Sequence, residues 1–170
     1  MSRFFSPAAL IGAAVLLSGC FVSEDPLIKP SDADHPFAAS LSYVGFRDEE
    51  GSWKEDETGV LDRAGDFYLM RTGDEANPPV LLFKSIRPNV YVAQQPDSGH
   101  YIYGLMQVAG NIVYEYGFSC DSTKDAAFIR SGAISQKDGD CYVKSLSDLA
   151  AIFQARVNSG DKPNRKYEIQ

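Results

Sequence analysis

The sequence is short of the residues from which active sites are usually built. It has two histidines, His35 and His100, in 170 positions. Neither sits in a nucleophile or metal motif, and both read as solvated or capping side chains. There is no G-x-S-x-G, H-E-x-x-H, P-loop or G-x-G-x-x-G, so the usual signatures of acyl transfer, zinc hydrolysis and nucleotide binding are missing. Carboxylate pairs occur at Asp48–Glu49, Glu55–Asp56 and Asp138–Asp140, but in polar stretches where nothing would drive their pKa values apart. The stretch from Lys137 to Asp140 lacks the spaced ligands and distal glutamate of an EF-hand loop. These absences predict a non-enzymatic protein with no metal and no cofactor. Basic residues are also outnumbered: 16 Lys and Arg against 23 Asp and Glu give a formal charge of −7. Such a chain is poorly suited to nucleic acid or to an anionic bilayer face. Nor does it contain the run of about 20 apolar residues that a permanent membrane helix needs.

What is present begins at the amino terminus, MSRFFSPAALIGAAVLLSGC. Arg3, an apolar run from Ala8 to Leu17 and the small residues Ser18 and Gly19 form the pattern of a secretory signal. The stretch Leu17-Ser18-Gly19-Cys20 resembles the lipobox of bacterial lipoproteins. That resemblance implies that residues 1–19 are removed, that the Cys20 thiol receives a diacylglycerol, and that the new amino terminus is acylated, for example with palmitate. Each buried CH2 contributes about 0.8 kcal/mol, and stable anchoring takes two or more chains. Phe21 and Val22, in place of an aspartate after the cysteine, imply the periplasmic face of the outer membrane by analogy with enteric sorting. The implied partners are the membrane, through the lipid, and an envelope protein. The globular part resembles uncharacterised small envelope lipoproteins of Gram-negative bacteria.

Of the three cysteines, acylation would consume Cys20. Cys120 and Cys141 remain, an even pair in an exported chain, and a disulfide between them is expected. A metal pair would lack neighbouring histidine or cysteine ligands.

Residues 21–37, FVSEDPLIKPSDADHPF, carry three prolines and no periodicity. With Cys20 they predict a lipidated tether over 20–37, able to reach about 50 Å when extended. A single β-rich domain is expected over 38–170. Within it, strands are expected at SLSYVGF (40–46), DFYLMRT (66–72), VLLFKSI (80–86) and VYVAQQ (90–95). HYIYGLMQV and IVYEYGF continue the series, joined through the turns PDSG and AGN into an antiparallel meander. RDEEGSWKEDETG reads as an acidic solvated turn whose Trp53 folds back onto the core. In the meander Tyr101, Tyr103 and Leu105 share one face, and Ile102, Met106 and Val108 the other. Both faces are apolar, so the sheet is either covered on both sides or curled around a cavity. Leu146, Leu149, Ile152, Phe153 and Val157 recur at helical spacing, with Ser145 or Ser147 as cap and Gly160 and Pro163 as terminators. KYEI suggests a last short strand. The expected fold is mainly β: a curved antiparallel sheet or small barrel with one C-terminal helix.

This layout resembles bacterial lipocalins, and Gly51-Ser52-Trp53 matches their G-x-W letters. Their T-D-Y triplet is absent, so no binding site is carried over.

Five of the nine tyrosines, Tyr91, Tyr101, Tyr103, Tyr114 and Tyr116, fall close together. They are candidates for an interaction face, since tyrosine offers apolar area with a polar tip. They would equally well plate a sheet. Three readings therefore stay open: an envelope protein-interaction module, a carrier of a small apolar ligand, and an inhibitor of a cell-wall-degrading enzyme.

Overall fold

The structure, a computed structural model, describes residues 21–73 and 76–170. The signal segment and Cys20 lie outside them. Among the described residues there are eleven strands: β1 (Phe21–Ser23), β2 (Ser40–Glu49), β3 (Ser52–Ala64), β4 (Phe67–Arg71), β5 (Val80–Arg87), β6 (Val90–Asp97), β7 (His100–Ala109), β8 (Ile112–Tyr116), β9 (Ile134–Lys137), β10 (Asp140–Val143) and β11 (Arg165–Ile169). Two helices accompany them, α1 (Ala126–Ser131) and α2 (Leu146–Asn158).

Strands β2 to β8 run as one antiparallel meander, as the alternating apolar segments and tight turns require. The chain then leaves the sheet, and β11 returns to lie between β8 and β2. Pairing of β6 with β7 completes the ring. The result is an eight-stranded antiparallel barrel, and the expected last strand at KYEI is the stave that closes it. Closure leaves no unpaired edge around the ring, which is the physical advantage of a barrel over an open sheet.

The two apolar faces of the meander are both covered. Alternation along β7 sends Ile102 and Met106 into the barrel, where they meet Tyr43, Leu61, Tyr68 and Phe83. It sends Tyr103 and Leu105 outward, beneath Phe21, Ile28 and the Leu149–Ile152–Phe153 stripe of α2. The Ser145 hydroxyl accepts from the Asp148 amide at 3.1 Å and caps α2, and Asp148 sits favourably at the positive end of the helix dipole.

Residues 21–37 are not a tether. Phe21 is fully buried, and β1 pairs with β7 on one side and β10 on the other. Beyond it the chain straps across the barrel wall, held by side chains instead of a ladder. The Gln94 amide group bonds both the Ile28 N–H (2.8 Å) and its carbonyl (3.0 Å). The Tyr103 hydroxyl accepts from the Leu27 amide, and Asp34 bridges to Phe83 beside the short β4–β5 seam. Composition suggested a solvated linker because these hydrogen-bond partners come from distant strands. His35, expected to be solvated or capping, packs instead 6.2 Å from the Tyr68 ring.

The acidic stretch expected as a turn is mostly strand. Only Glu50 and Gly51, both at positive φ, form the reversal between β2 and β3. After β8 the chain makes an annex that the sequence reading left unstructured: α1, and a β9–β10 hairpin whose turn is Asp138–Gly139. Cys120 and Cys141 are joined across it, 21 residues apart. Replacing both with serine is expected to cost about 3 kcal/mol of stability through the entropy of the opened loop. Urea unfolding of oxidised and variant protein measures this, and equal midpoints would show that the link adds nothing.

Candidate functional site

The tyrosines do not assemble into one exposed face. Tyr103 and Tyr116 are buried, Tyr101 and Tyr114 are half-buried against the same outer core, and Tyr91 packs toward the barrel interior. The Tyr103 hydroxyl is spent on Ser23, Leu27 and Gln94. Their spacing marked a sheet plated on both sides, and as folded they offer a partner little surface.

The barrel interior holds two kinds of chemistry. Its middle is apolar, with a cavity of about 40 Å3 bounded by residues such as Leu61, Met70, Met106 and Val113. A pocket for a drug-sized ligand takes roughly 300 Å3 or more, so this space is far too small for one. An opening of about 340 Å3 does exist near Asp25, Tyr142 and Lys144, but it lies by β1 and β10, outside the barrel.

Toward the end where β11 begins, the interior turns polar. Glu115 has no exposed surface, and its Oε2 accepts from the Tyr167 hydroxyl at 2.6 Å. Its Oε1 has no hydrogen-bond partner among the described residues. Burial, partly opposed by the Tyr167 hydrogen bond and the Arg165 charge, pushes the Glu115 carboxyl up to about 7. Burial and the neighbouring carboxylate also raise the Tyr167 phenol. Arg165, itself buried, bonds Asp56 at 2.7 Å and lies 3.8 Å from Glu57. Glycines make this room: a Cβ at Gly59 would fall 2.5 Å from the Tyr43 hydroxyl and 2.3 Å from the Arg71 carbonyl, and one at Gly45 would fall 2.8 Å from Glu57. The sequence reading missed this cluster. A signal existed in the alternation of β8, which places Glu115 in phase with the inward Val113.

On the outside, the β2–β3 ribbon projects. β11 accompanies β2 only from Tyr43 to Arg47, and β4 accompanies β3 only from Val60 onward. Among the described residues β3 thus has no strand on its outer side, away from β2, from Ser52 to Gly59, and residues 48–53 extend beyond both neighbours as a two-stranded ribbon, tightened at its base by the Arg47–Asp56 pair at 3.0 Å and by the cross-strand Lys54–Glu49 pair. From Arg47 to Glu57 the two strands carry six acidic and two basic side chains. Trp53, expected to fold onto the core, is instead 37% exposed on this ribbon. The Lys166 ammonium stands 4.4 Å from the Phe46 ring centroid and 5.8 Å from that of Trp53, so the two rings flank one cation. The bulge opposite Gly45 and Phe46 leaves Asp56 out of the ladder and shifts the alternation of β3, so Trp53 falls on the outer face with Phe46 and Lys166 and not on the inner face of Glu57 and Gly59.

Among the described residues no group of three or more His, Cys, Asp or Glu is placed to hold a metal. Compared with known proteins, the chain matches no family model, no curated protein and no solved structure.

Proposed function

We propose that this chain is a lipid-anchored, non-enzymatic interaction module of the cell envelope, acylated at Cys20 and placed at the periplasmic face of the outer membrane, which docks a protein partner through the β2–β3 ribbon. The observation that carries the reading is the exposure of Trp53 on a projecting ribbon whose barrel has no ligand-sized interior. Tryptophan is enriched among residues that dominate binding energy. The excess of acid around it suits a basic partner, which charge complementarity would steer and orient. The ribbon is already ordered, so docking it pays little ordering entropy.

A second reading has the same surface in its favour. A narrow projecting ribbon fits a cleft, and the clefts of cell-wall-degrading enzymes lie in the same compartment, so the partner could be such an enzyme held inactive. The third reading, a carrier of a small apolar ligand, has only a cavity of about 40 Å3 inside the barrel to draw on, against the roughly 300 Å3 such a pocket takes.

A photo-crosslinking amino acid placed at Trp53 in the intact envelope is expected to give one discrete protein adduct. The same group at Arg63, on the far end of β3, serves as control. Equal labelling from both positions would sink the ribbon as the docking surface.

A further inference from the structure

The ribbon carries a second feature beside Trp53, an uncovered strand edge. From Ser52 to Asp56 every residue of β3 is exposed, and β4 joins β3 only at Val60. The ladder fixes where the backbone groups point. Glu49 and Ser52 close a two-residue reversal, so they form a hydrogen-bonded pair, and the pairs beyond them alternate. The Asp48 amide agrees with that phase: it bonds the Asn164 carbonyl at 3.0 Å, on the side away from β3. Asp48–Trp53 and Phe46–Glu55 are therefore the pairs without mutual hydrogen bonds. The N–H and C=O groups of Trp53 and Glu55 point away from β2, into the open edge. Such a row of groups is a template for another strand.

The side chains beside the edge say which strand fits. Register places Phe46, Asp48, Trp53, Glu55 and Lys166 on one face of the sheet. Lys166 is taken by Glu168 at 2.6 Å. Arg47, Lys54 and Arg165 serve Asp56, Glu49 and Glu57. That leaves Asp48, Glu50 and Glu55 without a cation among the described residues. A strand laid along β3 sets every second side chain on the outer face, next to Trp53 and Glu55. Lysine or arginine there would meet a carboxylate and an indole ring. A second copy of this chain would bring its own acidic ribbon, and like charges side by side oppose that pairing. The edge is closed to itself and open to a strand of opposite charge.

We propose that the partner docks by strand addition: an extended protein segment with lysine or arginine at every second position pairs with β3 over residues 52–56, through the backbone of Trp53 and Glu55. Main-chain hydrogen bonds would supply affinity and the alternate side chains specificity. The proposal rests on the ribbon being the docking surface, and adds the mode of docking and the chemistry of the partner.

The test uses residues 20–170 with Cys20→Ser, which keeps every described element, labelled with nitrogen-15. The probe is a peptide of about seven residues, an ordinary strand length, in which threonine and lysine alternate. One comparison peptide has glutamate in place of lysine. The other carries N-methyl groups on its backbone amides, which keeps the charge and removes the donors. The expected result is a saturable change in the amide signals of residues 52–57, with hydrogen exchange at Trp53 and Glu55 slowed about tenfold or more. The Lys54 amide, which faces β2, is the internal reference. Both comparison peptides should bind about tenfold more weakly or worse. Glu55→Lys, an exposed change, should weaken the lysine peptide by about tenfold too. Equal binding of the N-methylated peptide overturns strand addition and leaves the ribbon as a surface that docks through side chains. Equal binding of the glutamate peptide, or unchanged affinity in Glu55→Lys, overturns the basic segment. No saturable change at residues 52–57 overturns the proposal outright. Failure of the ribbon as a docking surface shows separately, as equal crosslinking from Trp53 and Arg63 in the envelope.

Discussion

Replacing Arg156 with alanine is expected to destabilise the protein by about 3–5 kcal/mol. The Arg156 side chain is 5% exposed and bonds Asp125 at 3.1 Å and Asp161 at 2.6 Å. Its guanidinium also lies 5.5 Å from the Phe118 ring centroid. It joins the last turn of α2 to the start of α1, and so clamps the annex against the helix that covers the barrel wall. The loss would be large because of what remains. Asp125 has no exposed surface, and its Oδ1 already lacks a partner among the described residues. Removing the arginine leaves that carboxyl buried with only the Asp121 amide as donor. Adding Asp125→Asn should therefore recover part of the loss, which a purely steric effect would not show. Urea titrations of the single and double variants at pH 7 measure both values. A loss below about 1 kcal/mol would mean that the pair behaves as a solvated surface bridge.

The second large effect is a pH dependence. The unfolded chain releases the Glu115 proton near pH 4.5, whereas the folded chain holds it to about 7 because burial disfavours the ion. Between those values the folded state binds more protons than the unfolded one. Stability contributed by this group therefore falls as pH rises through the window and stays low above it. In Glu115→Gln this contribution is absent. The stability of the variant relative to the unaltered protein should rise by about 3 kcal/mol between pH 4 and pH 8. The difference across pH is the informative quantity, because the new amide brings its own fixed cost of burying unpaired donors. Denaturant midpoints at the two pH values give it. A difference independent of pH would show that water reaches the Glu115 carboxyl.

Several elements were legible in the sequence because each carried its own period. Val90 to Tyr116 alternates between two tight turns, and the apolar stripe from Leu146 to Val157 follows helical spacing. The two-sided apolarity of β7 correctly implied cover on both faces. The elements that were misread draw their stability from elsewhere. The strap from Glu24 to Phe37 is polar and proline-rich because Gln94, Tyr103 and Tyr68 supply its hydrogen bonds. The β2–β3 ribbon looks like a loop because it outruns its neighbours and has little apolar face to bury. The tyrosine cluster was visible, but its exposure depended on where α2 and β1 would land, and no local pattern encodes that. Trp53 was seen and given the opposite fate, because the bulge at Asp56 shifts the alternation of β3 and turns it to the outer face.

The place of β1 has a consequence for the order of events in the life of the molecule. Val22 and Ser23 are paired to β7, while Phe21 and Val22 are paired to β10. A peptidase that cuts before Cys20 needs several residues of extended backbone, and in the finished barrel the residue after Cys20 is already locked in a sheet. Under the proposed anchoring, acylation and cleavage come first, while the strand is still free, and the insertion of β1 between its two neighbours closes maturation. On that proposal the seating of β1 is a late step, and exposure of its backbone would distinguish a chain awaiting its anchor from one that carries it.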